Sequence, residues 1–232
     1  MAFLPKEALT LKGGCYCQAI RYTINIPALK DRPVVPNALE TPIGDGRATK
    51  TLLPVVDLDH CNDCRQVSGA IVQCWLICPV GWIDWSLLPK SNTVVPELAA
   101  NNLSLYTIPE NEAEIKSPRL DLRTYEAVGS STEGQPHTYV TKFNSSDNVV
   151  RSFCSRCGTN LAYFRGRADP TPNDVVDVTV GSLDRDCMAL VRPDRHGWWN
   201  SGVDWVKSIL RRGDTNLIRH PSGDIGSAVQ GE

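Results

Sequence analysis

Residues 13–22 read Gly13-Gly14-Cys15-Tyr16-Cys17-Gln18-Ala19-Ile20-Arg21-Tyr22, and residues 153–158 read Phe153-Cys154-Ser155-Arg156-Cys157-Gly158. The first holds a C-x-C pair just before a strand. The second holds a C-x-x-C pair followed by glycine, a knuckle that folds back so that both sulfurs point at one ion. Four thiolates close a tetrahedral zinc shell with bonds of about 2.3 Å. A closed all-cysteine shell is structural, since it leaves no position for substrate. An ion held by Cys15, Cys17, Cys154 and Cys157 would clamp an early strand to a late one, with an apparent contribution to folding on the order of 10 kcal/mol. The competing reading, a redox C-x-x-C beside two buried cysteines, lacks the βαβ context of a thioredoxin-like motif.

Working outward, the residues after Cys17 alternate. Ile20, Tyr22, Ile24 and Ile26 lie on one side, and Arg21, Thr23 and Asn25 on the other, as in a half-buried strand. Further strand-like runs fall near 71–78, 103–108, 137–143, 149–153, 159–164 and 174–180, several rich in β-branched and aromatic residues. Residues 27–53, with four prolines and mixed charge, read as a long loop. A short helix is expected over Val203 to Arg212, with cations in its last turn and Gly213 as its cap. The stretch from about Pro221 is small and polar, and is expected to fray. The expectation is a mainly β domain over 1–220, with loop-rich insertions at 27–53 and about 90–140, a short C-terminal helix, and a flexible tail over 221–232.

The 232 residues carry a formal net charge of -2 with no basic run, which argues against binding a phosphate backbone. The N-terminus lacks the pattern of a signal peptide, and the longest apolar stretch, Ile71 to Trp85, is broken by Gln73, Pro79, Gly81 and Asp84. A cytoplasmic protein is expected, with no nucleic acid or membrane partner. Nine cysteines in a reducing compartment point to metal ligands or reactive thiols rather than disulfides.

Asp59-His60-Cys61-Asn62-Asp63-Cys64-Arg65 forms a second knuckle with no distant C-x-x-C partner. Its two or three ligands make an incomplete shell, and an open position is what metal catalysis needs. In an extended segment Asp59 and Cys61 share a face and His60 points away, which favours Asp59, Cys61 and Cys64 as ligands. Two alternatives stand beside this: His60 as the third ligand, and a metal-free turn with inward-packed cysteines. His196 is either a general acid or base near the open metal or a structural histidine. Arg65 and Arg151 have the planar fork that grips carboxylates, such as those of glutathione; the alternative makes both surface or structural ion-pair residues, and for Arg151 this is the favoured reading. Trp198, Trp199 and Trp205 are pocket or core residues, Cys74 and Cys78 are read as buried, and Cys187 as a bystander.

The ordered set of motifs resembles the glutathione-dependent formaldehyde-activating family, which includes centromere-protein-V-like proteins. The resemblance rests on Gly14 to Tyr22, on His60-Cys61-Asn62-Asp63-Cys64-Arg65-Gln66-Val67-Ser68-Gly69, and on Asn144-Ser145-Ser146 followed by Arg151 to Leu161. Val180-Gly181-Ser182-Leu183-Asp184, His196 and Trp205 complete it. It implies a β-tent fold with two zinc ions, one structural on Cys15, Cys17, Cys154 and Cys157, one catalytic on positions 59, 61 and 64. The family pattern there is C-x-C-x-x-C, and this chain has Asp59 at the first position. The resemblance implies carbon–sulfur lyase activity on a small carbonyl compound or thiol adduct, with glutathione as partner. A lyase, isomerase or hydrolase acting on a larger metabolite without glutathione, and a non-catalytic zinc scaffold, are the rival expectations.

Overall fold

The computed structural model describes residues 4–35, 40–43, 47–90, 117–129, 137–166, 171 and 174–213, and the structure is mainly β. The expected strand near 103–108 and the tail from Pro221 lie outside the described residues.

Strand β1 (Leu9–Gly14) pairs antiparallel with β2 (Ile20–Ile26), where the anticipated alternation holds: Ile20, Tyr22, Ile24 and Ile26 are buried. Two short strands follow, β3 (Glu40–Ile43) and β4 (Arg47–Lys50), which form a separate hairpin. Residues 27–53 therefore hold more order than a loop. The chain then runs through β5 (Val55–Asp59), α1 (Asn62–Ser68), β6 (Gln73–Pro79) and β7 (Ile83–Leu87). Strand β8 (Leu120–Arg123) and helix α2 (Thr124–Val128) lie in the 90–140 stretch. Strands β9 (Val140–Ser146), β10 (Val149–Cys154), β11 (Asn160–Arg165) and β12 (Val175–Thr179) lead to α3 (Arg185–Met188), β13 (Arg195–Gly197) and α4 (Asp204–Arg212). The expected C-terminal helix is α4, closed by Gly213 at φ 81°, whose N–H bonds to Ile209 O.

Strands β1, β2, β7 and β8 make one sheet. A seven-stranded sheet has the order β13-β5-β6-β12-β11-β10-β9, antiparallel except for the β13–β5 pair. The two sheets share one core. Leu11, Ile20, Tyr22, Ile24, Ile83 and Trp85 come from the first; Val56, Leu76, Cys78, Ala162, Phe164, Val176 and Val178 come from the second. Each fully buried large side chain contributes roughly 1.5–3 kcal/mol by leaving water. Cys78 belongs to this core, as its small apolar character suggested, whereas Cys74 is only partly buried and packs against it.

Neighbouring residues in a ladder point to the same face, and residues two apart along a strand do too. Leu76, Val178 and Ala162 form one cross-strand row, on the core face. The opposite face carries Asp57 beside Trp75, and a row of Ile77, Asp177, Tyr163 and Arg151. The large sheet thus has an apolar side against the core and a polar side, and the second cysteine knuckle lies over the polar side.

Candidate metal centres and cavity

The first cysteine cluster forms where two hairpin loops meet. Between β1 and β2 the chain reverses over Cys15–Ala19: Cys15 N–H bonds to Ile20 O at 2.9 Å, and Gln18 takes the left-handed conformation at φ 60°. Between β10 and β11, Cys154 N–H bonds to Thr159 O at 2.9 Å, and Gly158 turns the knuckle at φ 75°, which glycine adopts without strain. Cys15 Sγ and Cys17 Sγ are 3.4 Å apart, and Cys17 Sγ and Cys154 Sγ 3.7 Å. Tetrahedral zinc with bonds of about 2.3 Å places its sulfurs about 3.8 Å apart, so these spacings fit the ion. The ligand atoms of Cys15, Cys17, Cys154 and Cys157 all lie within 4.8 Å of one another. Without a cation the thiols cannot all ionise. A hydrogen bond from Cys15 pulls the Cys154 thiol down to about 5, while Cys15 itself is driven far up by the same contact and by burial. Burial pushes Cys17 up to about 11. A dication relieves this conflict by binding all four as thiolates.

Contacts beside the cluster tie the two sheets further. Tyr22 Oη and Ser182 Oγ are 2.7 Å apart, and Arg21 grips Asp184 with two hydrogen bonds of 2.9 and 2.5 Å.

The second cluster is built by β5 and α1. Cys61 caps α1 and Cys64 lies three residues on, so both look the same way from the first turn. The helix ends at Gly69, left-handed at φ 71°. Asp59, the last residue of β5, accepts the Cys61 N–H at 2.8 Å through Oδ1 and the Trp75 indole N–H at 3.0 Å through Oδ2. These bonds hold the carboxylate beside the sulfurs, and each oxygen keeps another lone pair. Ligand atoms of Asp59, Cys61 and Cys64 lie within 4.8 Å of one another. Burial raises the Cys64 thiol to about 12, and Arg151 opposes that rise by donating to its sulfur at 3.3 Å. One carboxylate and two thiolates are donors that zinc accepts, and they are one short of a tetrahedral shell.

His60 is not part of this group. Its Nε2 lies 3.2 Å from His196 Nδ1, and its ring meets Trp199 edge-on at 5.0 Å. Its Nδ1 faces Gly202, where a Cβ would lie only 2.7 Å away. The alternation in β5 sends Asp59 one way and His60 the other. His196, in β13 alongside β5, joins His60 and Trp199 and is not among the residues that line the cavity at the second cluster.

That cavity has a volume of about 490 Å³. Its floor is the polar face of the large sheet, with Asp57, Trp75, Asp177, Tyr163 and Arg151. Asp59, Cys61 and Cys64 form one wall, Ser145 and Ser146 another. Trp198, left-handed at φ 51° and 69% exposed, stands at the rim. Of the other tryptophans weighed, Trp205 is exposed and Trp199 packs on the two histidines. Arg65 lies outside the lining, with its Nε buried and unpartnered among the described residues. Arg151, read from sequence as a surface or structural ion-pair residue, is instead buried at the cavity and pairs with no carboxylate among the described residues.

Two carboxyls in the lining were not singled out by sequence. Burial, and then the charge of Asp59, pushes Asp57 up to about 7; burial, and then Asp57 and Asp59, pushes Asp177 up to about 8. Their signal was present as acids set within apolar strands, Val55-Val56-Asp57-Leu58-Asp59 and Val175-Val176-Asp177-Val178-Thr179. Such acids must face a polar space or lose their charge.

A model of the glutathione-dependent formaldehyde-activating enzyme family matches residues 122–201. The match covers Cys154, Cys157 and the Gly181–Asp184 turn, and it supports the resemblance read from the ordered cysteine motifs. No curated protein matches the chain significantly. Among the described residues, no helix is long and apolar enough to cross a membrane.

Proposed function

We propose that this chain is a zinc-dependent lyase of the glutathione-dependent formaldehyde-activating type, with one structural and one catalytic zinc. Its substrate is a small carbonyl compound or thiol adduct, its thiol partner glutathione, and its compartment the cytoplasm. The observation that carries the reading is the incomplete donor set of Asp59, Cys61 and Cys64 opening onto the cavity. Zinc bound there supplies Lewis acidity to a sulfur or carbonyl oxygen.

The chain's own residues supply the rest. Trp75 and the Cys61 N–H orient Asp59, and Arg151 orients Cys64. Addition of a thiol to a carbonyl forms a carbon–sulfur bond and moves the thiol proton to the carbonyl oxygen; the reverse breaks the bond and returns the proton. Asp57 and Asp177, with carboxyls held up to about 7 and about 8, are the cavity residues suited to carry that proton near neutral pH. Trp75 and Tyr163, with ring centroids 6.4 Å apart, form the apolar part of the floor.

The test is zinc content per chain together with a screen of carbonyl compounds, with and without glutathione. Two zincs and turnover that Cys61→Ala abolishes support the proposal. One zinc and no turnover with any carbonyl would point to a zinc-stapled binding module.

A further inference from the structure

Arg151 is in an unusual position for an arginine. The residue is 3% exposed. Its Nε donates to Ser145 Oγ at 3.0 Å, its Nη2 donates to Cys64 Sγ at 3.3 Å, and the guanidinium lies 5.0 Å from the centroid of the Tyr163 ring. Its Nη1 is buried and has no hydrogen-bond partner among the described residues. Among the described residues, Arg151 is also the one Lys or Arg side chain in the cavity lining.

A buried guanidinium with an unfilled donor is costly, because both its charge and its N–H groups have lost water. Cys64, a thiol at neutral pH without metal, answers that charge only as a metal-bound thiolate. Once that thiolate and Asp59 and Cys61 surround a dication, their three negative charges leave the ion and its ligands at -1, which Arg151 brings to zero. The open donor still has no partner. Asp177, on the same cross-strand row with Tyr163 between them, makes no hydrogen bond or ion pair with Arg151 among the described residues, so it does not fill that donor.

We infer that Arg151 is the specificity residue of this cavity, and that the substrate carries a carboxylate received by Nη1. The planar fork of arginine, stacked on Tyr163 and anchored by Ser145, is preorganised for that anion. Nη1 and Nη2 share one carbon and Nη2 rests on Cys64, so the carboxylate would sit one short carbon chain from the reacting group. This inference rests on the metal-dependent reading of the Asp59–Cys61–Cys64 site.

The experiment loads the protein with cobalt(II) and titrates it with 3-mercaptopropionate and with 2-mercaptoethanol, following sulfur-to-cobalt charge-transfer absorbance. The expected result is binding of 3-mercaptopropionate tighter by about tenfold or more, the size of a charge-assisted hydrogen bond. That preference should vanish in Arg151→Gln and shrink in Arg151→Lys, which keeps the charge but not the fork. Equal binding of the two thiols to wild type overturns the inference and leaves the open metal site standing. An undiminished preference in Arg151→Gln assigns the carboxylate to the ion and also overturns it. If Arg151→Gln does not fold, Arg151→Lys decides by the same comparison. If neither thiol changes the spectrum, the open metal position fails and this inference with it.

Discussion

The sulfurs of Cys17 and Cys154 lie 3.7 Å apart although 137 residues separate them. Each belongs to a hairpin loop of a different sheet, so the pair marks the point where the two sheets are stapled. Cys154→Ala should therefore release one zinc per chain and remove stability on the order of 10 kcal/mol in apparent terms. Metal analysis and thermal melting followed by circular dichroism check this. A variant that keeps two zincs and melts normally would exclude the staple.

Cys61→Ala should behave differently. Cys61 is only partly buried and caps a seven-residue helix, so its loss should cost about 1 kcal/mol in stability. One zinc per chain should remain, in a folded protein without turnover.

Asp59 joins the second cluster to the sheet through the Trp75 indole. Asp59→Ala leaves that buried N–H without its acceptor, at a cost of about 1–3 kcal/mol beyond the loss of a metal ligand. Asp59→Asn keeps an acceptor for only one of the two donors, Cys61 N–H and Trp75 N–H, and turns its NH2 against the other, so it should recover only part of the stability in denaturant titrations, while binding the second zinc more weakly.

Gly13 has no room for a side chain. A Cβ there would lie 2.4 Å from Tyr22 Oη and 2.7 Å from Ser182 O. Gly13→Ala should push apart the Tyr22–Ser182 contact between the sheets and destabilise by about 1–3 kcal/mol. An unchanged melting temperature would contradict this packing.

The Arg21–Asp184 pair gives a pH signature. The Arg21 hydrogen bonds hold the Asp184 carboxyl below its ordinary range. A depressed carboxyl stabilises the fold above its unfolded value, about 3.9, and that contribution disappears as pH falls through the folded value. Both side chains are partly exposed, so the effect should be at most about 1 kcal/mol. The denaturant midpoint of wild type minus that of Asp184→Asn should be positive at pH 7 and shrink towards pH 3; zinc loss in acid is common to both proteins and cancels. A difference independent of pH would exclude the pair as its source.

Much of this protein was determined locally by its sequence. Cysteine spacing and adjacent turn residues specify the two knuckles, because a C-x-C or C-x-x-C turn brings sulfurs together through its own backbone. Alternation over Ile20 to Ile26 specifies the buried face of β2, since a strand turns successive side chains to opposite sides. The same rule separated Asp59 from His60, and the last-turn cations with Gly213 marked the end of α4.

Tertiary structure alone decided the rest. Local patterning does not say which strand neighbours which, so it could not show that Arg151, Tyr163 and Asp177 form one row beneath the second cluster. Their seats depend on ladders among three strands. His196 likewise follows β13 to β5 and meets His60 and Trp199 rather than Cys61. Sequence could name the candidate ligands within each knuckle because their spacing there is short-range; the cavity beside Asp59, Cys61 and Cys64 exists only once distant strands are in register.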